Sequence, residues 1–399
     1  MSLAKVLQMN VRLSEGGAAG VARTLADELV LRGVASPFAY GYSSGGRPSP
    51  LEERYRSVRV TPAPIAAANR VSYSLIGRET KLRGPQKWAA FLEALESSDV
   101  IHLHAIHSHI VDTGVLFQAL IKAGKPVVWT LHDQWAMTGR CAQPKDCRLW
   151  EVGCPSCPDL KAYPPARIDH AARRWVERRA MIEELQTAIP TAIVACASWL
   201  ADEARRTSLR NVSVITNSVD RDFWTATSQR GSTAGRSPKV IRNLFMCRDL
   251  RDEQKVNWDL LDNVATLPGQ SLTILGDHAT RQVARASRVP AVTGRAELAQ
   301  VMHNHDRLIF TSRVDYFPLT IVEALTAGLD VYALDSQAAR EFSDNQHLHV
   351  FNDPASLLAG LRAPRQISST PESAAHRLYF APERMSNEYI AVYEELLGQ

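Results

Sequence analysis

Short apolar runs alternate with longer stretches of helical periodicity along the whole chain. In the first half the strand-like runs are Lys5–Met9, Pro37–Tyr42, Val58–Thr61, Asp99–His104, Pro126–Leu131, Ala192–Ala195 and Val212–Thr216. The helical stretches are Ala18–Leu31, stopped by Gly33; Gly114–Lys122, stopped by Gly124; Asp169–Gln186; and Ser198–Thr207. Many of the runs are apolar at odd and even positions alike. That pattern suits parallel strands covered by helices on both faces of a sheet.

The alternation breaks at Thr225–Lys239, where Ser, Thr, Gly, Gln and Arg leave almost nothing to bury, so this stretch reads as a linker. It then restarts with strands Val240–Met246, Ser271–Leu275, Arg307–Thr311, Asp330–Leu334 and His349–Phe351. The helices between them are Val256–Thr266, Ala296–His303 and Leu319–Ala327. A last helix, Pro382–Leu397, starts with proline, which tolerates a helix N-terminus. The expectation is α/β: two Rossmann-like domains, 1–220 and 221–381, facing each other across a cleft. The helix 382–399 closes the chain and is free to return to the first domain. A length of 399 residues fits two domains.

Composition narrows this little, but it excludes much. Apolar residues are 45% and charged residues 22%, which rules out disordered and fibrous classes. No run approaches the ~18 apolar residues of a membrane span. Met1–Asn10 goes straight into a strand-like run without the order of a signal peptide, so a cytoplasmic location is expected. A net charge of +4 speaks against nucleic acid as the main partner. The charge is uneven, however: residues 1–220 hold 27 Lys and Arg against 21 Asp and Glu, and the rest hold 19 against 21. A basic first half suits an anionic membrane surface or a phosphorylated ligand.

Open parallel sheets bind ligands beyond the carboxyl ends of their strands, and the candidate chemistry lies there. After the first strand, Ser14-Glu15-Gly16-Gly17-Ala18-Ala19-Gly20 leads into a helix, and small residues let backbone amides approach an anion. After the fifth, Thr130-Leu131-His132-Asp133 puts His132 over the crevice. The run His102-Leu103-His104-Ala105-Ile106-His107-Ser108-His109 also ends a strand, and His104 and His107 suit contacts to substrate hydroxyls. In the second half, Cys247-Arg248-Asp249 and Lys255 follow a strand, giving a forked donor and a compact cation for a diphosphate. The richest stretch is Ser312–Gly328. Asp315 sits in its loop, Leu319 and Thr320 offer backbone amides at a helix start, and Glu323 lies one turn inside.

This last pattern resembles the E-x7-E region of glycosyltransferase family four, retaining enzymes of GT-B fold. Gly16-Gly17 looks like the family's donor-phosphate loop. Val214-Ile215-Thr216-Asn217-Ser218-Val219-Asp220 resembles its V-I-P-N-G-V-D segment, and Arg248 and Lys255 its diphosphate pair. Thr130 through Cys157-Pro158-Asp159-Leu160 is similar to exopolysaccharide transferases of colanic-acid type. Asp315 stands where the family has its first Glu, Val256 follows Lys255 where Gly is usual, and Ser336–Glu341 lacks the usual glycines. Thr216 and Ser218 replace the Pro and Gly flanking Asn217.

The resemblance implies transfer of a sugar from an NDP-sugar to a saccharide or lipid-linked acceptor, as in exopolysaccharide synthesis. Glu323 would hold the ribose, Arg248 and Lys255 the diphosphate, with Gly16, Gly17, Asn217, Leu319 and Thr320 completing the donor site. Asp315 and His132 would contact the transferred sugar. His104 and His107 would face the acceptor in the basic first domain. No catalytic cofactor is required. A nucleotide-sugar epimerase of the same fold and a non-catalytic partner are the alternative readings.

Two further expectations concern surroundings. The basic helix His170–Arg179, with Trp175, and a loop at Ile65–Trp88 are candidates for contact with anionic lipid at the inner face of a membrane. Cys141, Cys147, Cys154 and Cys157, spaced C-x5-C-x6-C-x2-C, form a Cys-rich insertion at 141–157. Structural zinc is the favoured reading there, with disulfides and free thiols as alternatives.

Overall fold

The computed structural model describes residues 3–41, 50–228, 240–363 and 377–398. The chain divides into two compact units: residues 1–216 together with 385–399, and residues 217–384.

The first unit holds strands β1 (Val6–Asn10), β2 (Phe38–Tyr40), β3 (Val58–Arg59), β4 (Val100–Leu103), β5 (Val127–Leu131), β6 (Thr191–Ala195) and β7 (Val212–Val214). They form one sheet in the order β3-β2-β1-β4-β5-β6-β7. Every pairing is parallel. The residues of β1, β4 and β5 are buried throughout, which is why their sequences carry no alternation.

The second unit holds β8 (Ile241–Asp249), β9 (Gln270–Asp277), β10 (Ala286–Val289), β11 (Arg307–Phe310), β12 (Asp330–Leu334) and β13 (Leu348–Phe351). Their order is β10-β9-β8-β11-β12-β13, again all parallel. Phe245, Leu260, Leu272, Ile274, Ile309 and Leu357 are among its buried core. In each unit the direction of winding reverses once, between β1 and β4 and between β8 and β11. Ligand crevices of doubly wound sheets form at such points.

The helix Pro382–Leu396 returns to the first unit. Its Met385, Tyr389 and Tyr393 are spaced four apart, share one face, and are fully buried. Tyr389 bonds Thr130 at 2.8 Å and Tyr393 bonds His102 at 2.6 Å, so this helix covers the strands that precede His104 and His132.

Several expectations change. β10 was not expected: it is a sheet edge with the polar sequence Ala-Ser-Arg-Val and exposed central residues. The loop expected at Ile65–Trp88 is largely helical, in helices Ala63–Ile76 and Pro85–Glu96, each with proline in its first turn. The linker expected from Thr225 begins inside a helix, Arg221–Ser228, and its remainder, 229–239, lies outside the described residues. So does Tyr42 of the second expected strand. Asn217–Asp220 belongs to the second unit, where the Val219 amide donates to Phe380 and Asp220 pairs with Arg295. Among the described residues no helix is long and apolar enough to cross a membrane.

Candidate active site

In the first unit, the reversal point gathers the glycine turn and the histidines. Gly16 has φ 92, a backbone conformation that favours glycine, and caps the helix Gly17–Leu31. A Cβ on Gly16 or Gly17 would meet nothing within 4 Å. The amides there open to the surface at a helix start, where partial positive charge collects.

His104, His107, His132 and Asp133 line one small pocket with Trp129 and Trp135. His104 bonds His132 at 2.9 Å and Gln8 at 2.8 Å. The ring of His102 stacks on that of His104 at 4.2 Å, and His104 on His132 at 5.2 Å. Burial pushes the pKa of His132 down to about 4, with Asp133 only partly opposing it. Burial likewise holds His102 and His104 well below their ordinary range, with neighbouring imidazoles adding to the effect. All three are therefore neutral imidazoles at pH 7. His107 pairs with Asp133 at 2.8 Å. Burial alone would raise the Asp133 carboxyl, but His107 outweighs it and the net shift is downward.

In the second unit, Lys255 and Asp315 meet at 2.6 Å beside the β8–β11 reversal. Burial would lower the lysine's pKa, but Asp315 overrides that and holds the ammonium above its ordinary value. Glu323 is buried in the helix Leu319–Thr326 and accepts from Arg295 at 2.6 Å. Arg295 also pairs with Asp220. Burial raises the Glu323 carboxyl, and Arg295 only partly offsets it. Asn217 is 4% exposed, and its side-chain oxygen has no hydrogen-bond partner among the described residues.

The expected residues are thus placed unevenly. His104, His107 and His132 share a pocket, and Lys255 and Asp315 share an ion pair. Leu319 and Thr320 start the short helix that carries Glu323. Arg248 stands apart on β8, exposed, without a partner among the described residues. The loop expected at Ser336–Glu341 is a helical turn, Gln337–Arg340, capped by the Ser336 hydroxyl.

Asp220, Arg295 and Gln8 were not expected. Gln8 had a signal, a polar residue in the middle of the otherwise apolar run Val6–Met9. Arg295 had none, because its carboxylates lie far away in sequence.

The four clustered cysteines are all free thiols. They line one cavity with Arg140, Leu149 and Trp150. Among the described residues no group of three His, Cys, Asp or Glu side chains is arranged to hold a metal ion. The helix Ala171–Ala188, expected to face lipid, turns Arg174 and Arg178 inward. Arg178 stacks on Trp135 at 3.7 Å, and Trp175 donates to the Trp150 carbonyl. Arg173, with its side chain 69% exposed, and Val176, 61% exposed, remain on the outer face.

Comparison with known proteins agrees with this architecture. Residues 15–223 match the model of Glycosyltransferase Family 4. The putative colanic acid biosynthesis glycosyl transferase WcaC of Escherichia coli strain K12 is 31% identical, over 98% of this chain and 100% of its own. Among solved structures, sucrose-phosphate synthase from Thermosynechococcus elongatus superposes with a TM-score of 0.61 at 14% identity, covering 99% of both chains. WaaG, a glycosyltransferase involved in lipopolysaccharide biosynthesis, gives 0.55 at 14% identity, covering 98% of both. HepE of Anabaena, solved with UDP-glucose, gives 0.54 at 14% identity, covering 99% of this chain and 96% of its own. These are likenesses of the two-unit GT-B fold. With its reversal points, its pairing of Lys255 with Asp315 and its match over more than half its length, the chain belongs to glycosyltransferase family 4.

Proposed function

We propose that this protein transfers a hexosyl group, with retention, from an NDP-sugar to a saccharide carried on a lipid in exopolysaccharide synthesis. The observation that carries this reading is the Lys255–Asp315 ion pair at the reversal point of the second sheet, with Glu323 buried in the helix that follows the Asp315 loop. Breaking the glycosidic C–O bond leaves negative charge on the diphosphate. Lys255 and Arg248 would stabilise it, as would the amides of Leu319 and Thr320 at the helix start; one preorganised donor is typically worth ~3 kcal/mol. Glu323 would share its carboxylate between Arg295 and ribose hydroxyls. Asp315 and His132 would contact the transferred sugar, His107 would flank the acceptor, and His104, 1% exposed with both ring nitrogens bonded to Gln8 and His132, would act through His132. Retention would follow from same-face attack without a protein nucleophile. The likeness to the colanic acid protein of E. coli supports a surface-polysaccharide product.

The lipid carrier has support of its own. Val71, Leu75, Ile76 and Leu82 are 58%, 43%, 50% and 60% exposed, on the helix Ala63–Ile76 and just after it. Arg70, Lys81, Arg83 and Lys87 are exposed on the same segment. A segment that exposes apolar and cationic side chains together suits an anionic membrane surface.

The test is a panel of NDP-sugars offered with lipid-linked saccharides. NDP release with a new glycoside of unchanged anomeric configuration supports the reading. An altered sugar without NDP release would indicate an epimerase, and binding alone would indicate a partner protein. Sedimentation with vesicles checks the surface: binding should need anionic lipid and be lost in Leu75→Glu.

A further inference from the structure

The histidines of the first unit form a hydrogen-bonded chain whose direction can be worked out by counting protons. It starts at a backbone carbonyl, which can only accept. The Ser36 hydroxyl donates to the Val6 carbonyl at 3.3 Å. Its oxygen is then the acceptor for the Gln8 amide nitrogen at 3.2 Å. That fixes which end of Gln8 is which, and its Oε1 faces His104 Nε2 at 2.8 Å. An amide oxygen has no proton, so His104 must carry one on Nε2.

The remaining ring nitrogen, His104 Nδ1, faces His132 Nε2 at 2.9 Å. A neutral imidazole has one proton, already placed on Nε2, so His104 Nδ1 accepts and His132 Nε2 donates. Neutrality is enforced by position. His104 is 1% exposed, no carboxylate bonds it, and its ionisable neighbours are the imidazoles of His102 and His132. Asp133 is spoken for by His107. Burial without a counter-charge disfavours the imidazolium.

We infer that Gln8 and His104 are positioning residues that hold His132 as a neutral imidazole with its proton on Nε2 and a bare lone pair on Nδ1. Nδ1 is the one His132 nitrogen with no partner among the described residues. This rests on the reading that His132 touches the transferred sugar. The consequence is that His132 acts there as an acceptor for a sugar hydroxyl, and not as a cation. That suits the chemistry, since positive charge grows on the sugar ring as the C–O bond lengthens. A cationic His132 would oppose it. Were the chain to run the other way, His132 would carry its proton on Nδ1 and offer a donor instead.

The experiment uses the full chain with ¹⁵N-labelled histidine. Long-range ¹H–¹⁵N NMR near pH 7 is expected to show His132 and His104 each protonated at Nε2 and bare at Nδ1, with a slowly exchanging His132 Nε2–H. His132→Gln assigns the signal. His104→Leu should abolish the slow proton and lower turnover about tenfold or more, while affinity for NDP alone stays unchanged. His104→Asn places an amide oxygen where Nδ1 stood, and should restore the slow proton and bring turnover to within about threefold of the original. Gln8→Leu should blur His132 into two tautomers with both imidazoles still present.

A bare Nε2 on His132, or a slow proton and turnover that survive His104→Leu, would overturn the inference. If the proton order is found as described but His132→Ala transfers sugar at the original rate, the sugar contact is what fails.

Discussion

Arg295 donates to Glu323 at 2.6 Å, so the acid expected to hold ribose is already engaged by a cation of its own unit. On the proposed reading, ribose hydroxyls would share this carboxylate with Arg295, which bonds only its Oε1. Glu323→Ala is expected to weaken NDP-sugar binding by ~1–3 kcal/mol, about 5- to 150-fold, because ribose hydroxyls then lack an acceptor. Calorimetric titration of the variant with NDP alone checks it, and an unchanged affinity would refute the assignment.

Removing the cation should act on the fold instead. Arg295→Leu leaves a buried carboxylate unpaired, and is expected to cost about 2–3 kcal/mol. That is below the figure for a fully buried pair, because Arg295 is 34% exposed. The Glu323 carboxyl is already raised by burial, and it should rise further. A raised carboxyl keeps its proton longer folded than unfolded. The variant's stability should therefore decline as pH rises above about 4.5, more than the parent's does. Urea melts at several pH values measure this.

Lys255 is poised for a different step. Lys255→Ala and Arg248→Ala should each lower turnover about 10²-fold if they stabilise the leaving diphosphate. With these cations in that role, EDTA is expected to leave transfer intact. Activity lost to chelator and restored by Mg²⁺ or Mn²⁺ would overturn a metal-independent mechanism.

The neutral histidines predict an acid-labile first unit. His132 and His109 are both lowered to about 4, chiefly by burial, and His102 and His104 also lie well below 6.5. Between about 6.5 and 4 the unfolded chain binds protons that the folded one does not. Stability is thus fully present above about 6.5 and lost as pH falls. Each such group contributes up to ~1.4 kcal/mol per pH unit. Melting temperature measured from pH 7 to 4.5 should drop steeply, and His102→Phe, which keeps a buried ring, should flatten the slope.

Gly139 tests the cysteine-rich segment. A Cβ there would lie 2.1 Å from the Ala171 carbonyl oxygen, and the Gly139 amide donates to the Cys154 sulfur at 3.3 Å. Gly139→Ala must push the segment off the helix start, at ~1–3 kcal/mol. Faster alkylation of Cys154, otherwise buried, would report it.

What could be read in advance follows the physics of burial. β5 and β12 were legible because VVWTL and DVYAL are nearly continuous apolar runs, buried throughout. β10 was not, because ASRV lies at an edge and buries little. Helix Ala63–Ile76 was missed because it buries only Asn69 and Tyr73, leaving most of its apolar residues outside a core. At the site, residues within one loop or helix were legible, as Asp315 and Glu323 were. Partners brought in from elsewhere were not: Asp220, Arg295 and Glu323 meet only after the sheet has formed, and nothing in local spacing announces that.

Tyr389 and Tyr393 belong to the first unit, yet they follow the whole of the second along the chain. As the polypeptide emerges from a ribosome, the strands bearing His102 and Thr130 must wait for them with their polar groups uncovered. The first unit therefore cannot finish folding before the second has been synthesised, although domains commonly fold in the order they are made. An arrested chain lacking this helix would leave His102 and Thr130 without their tyrosine partners, so the histidine pocket is completed only after translation has passed through both units.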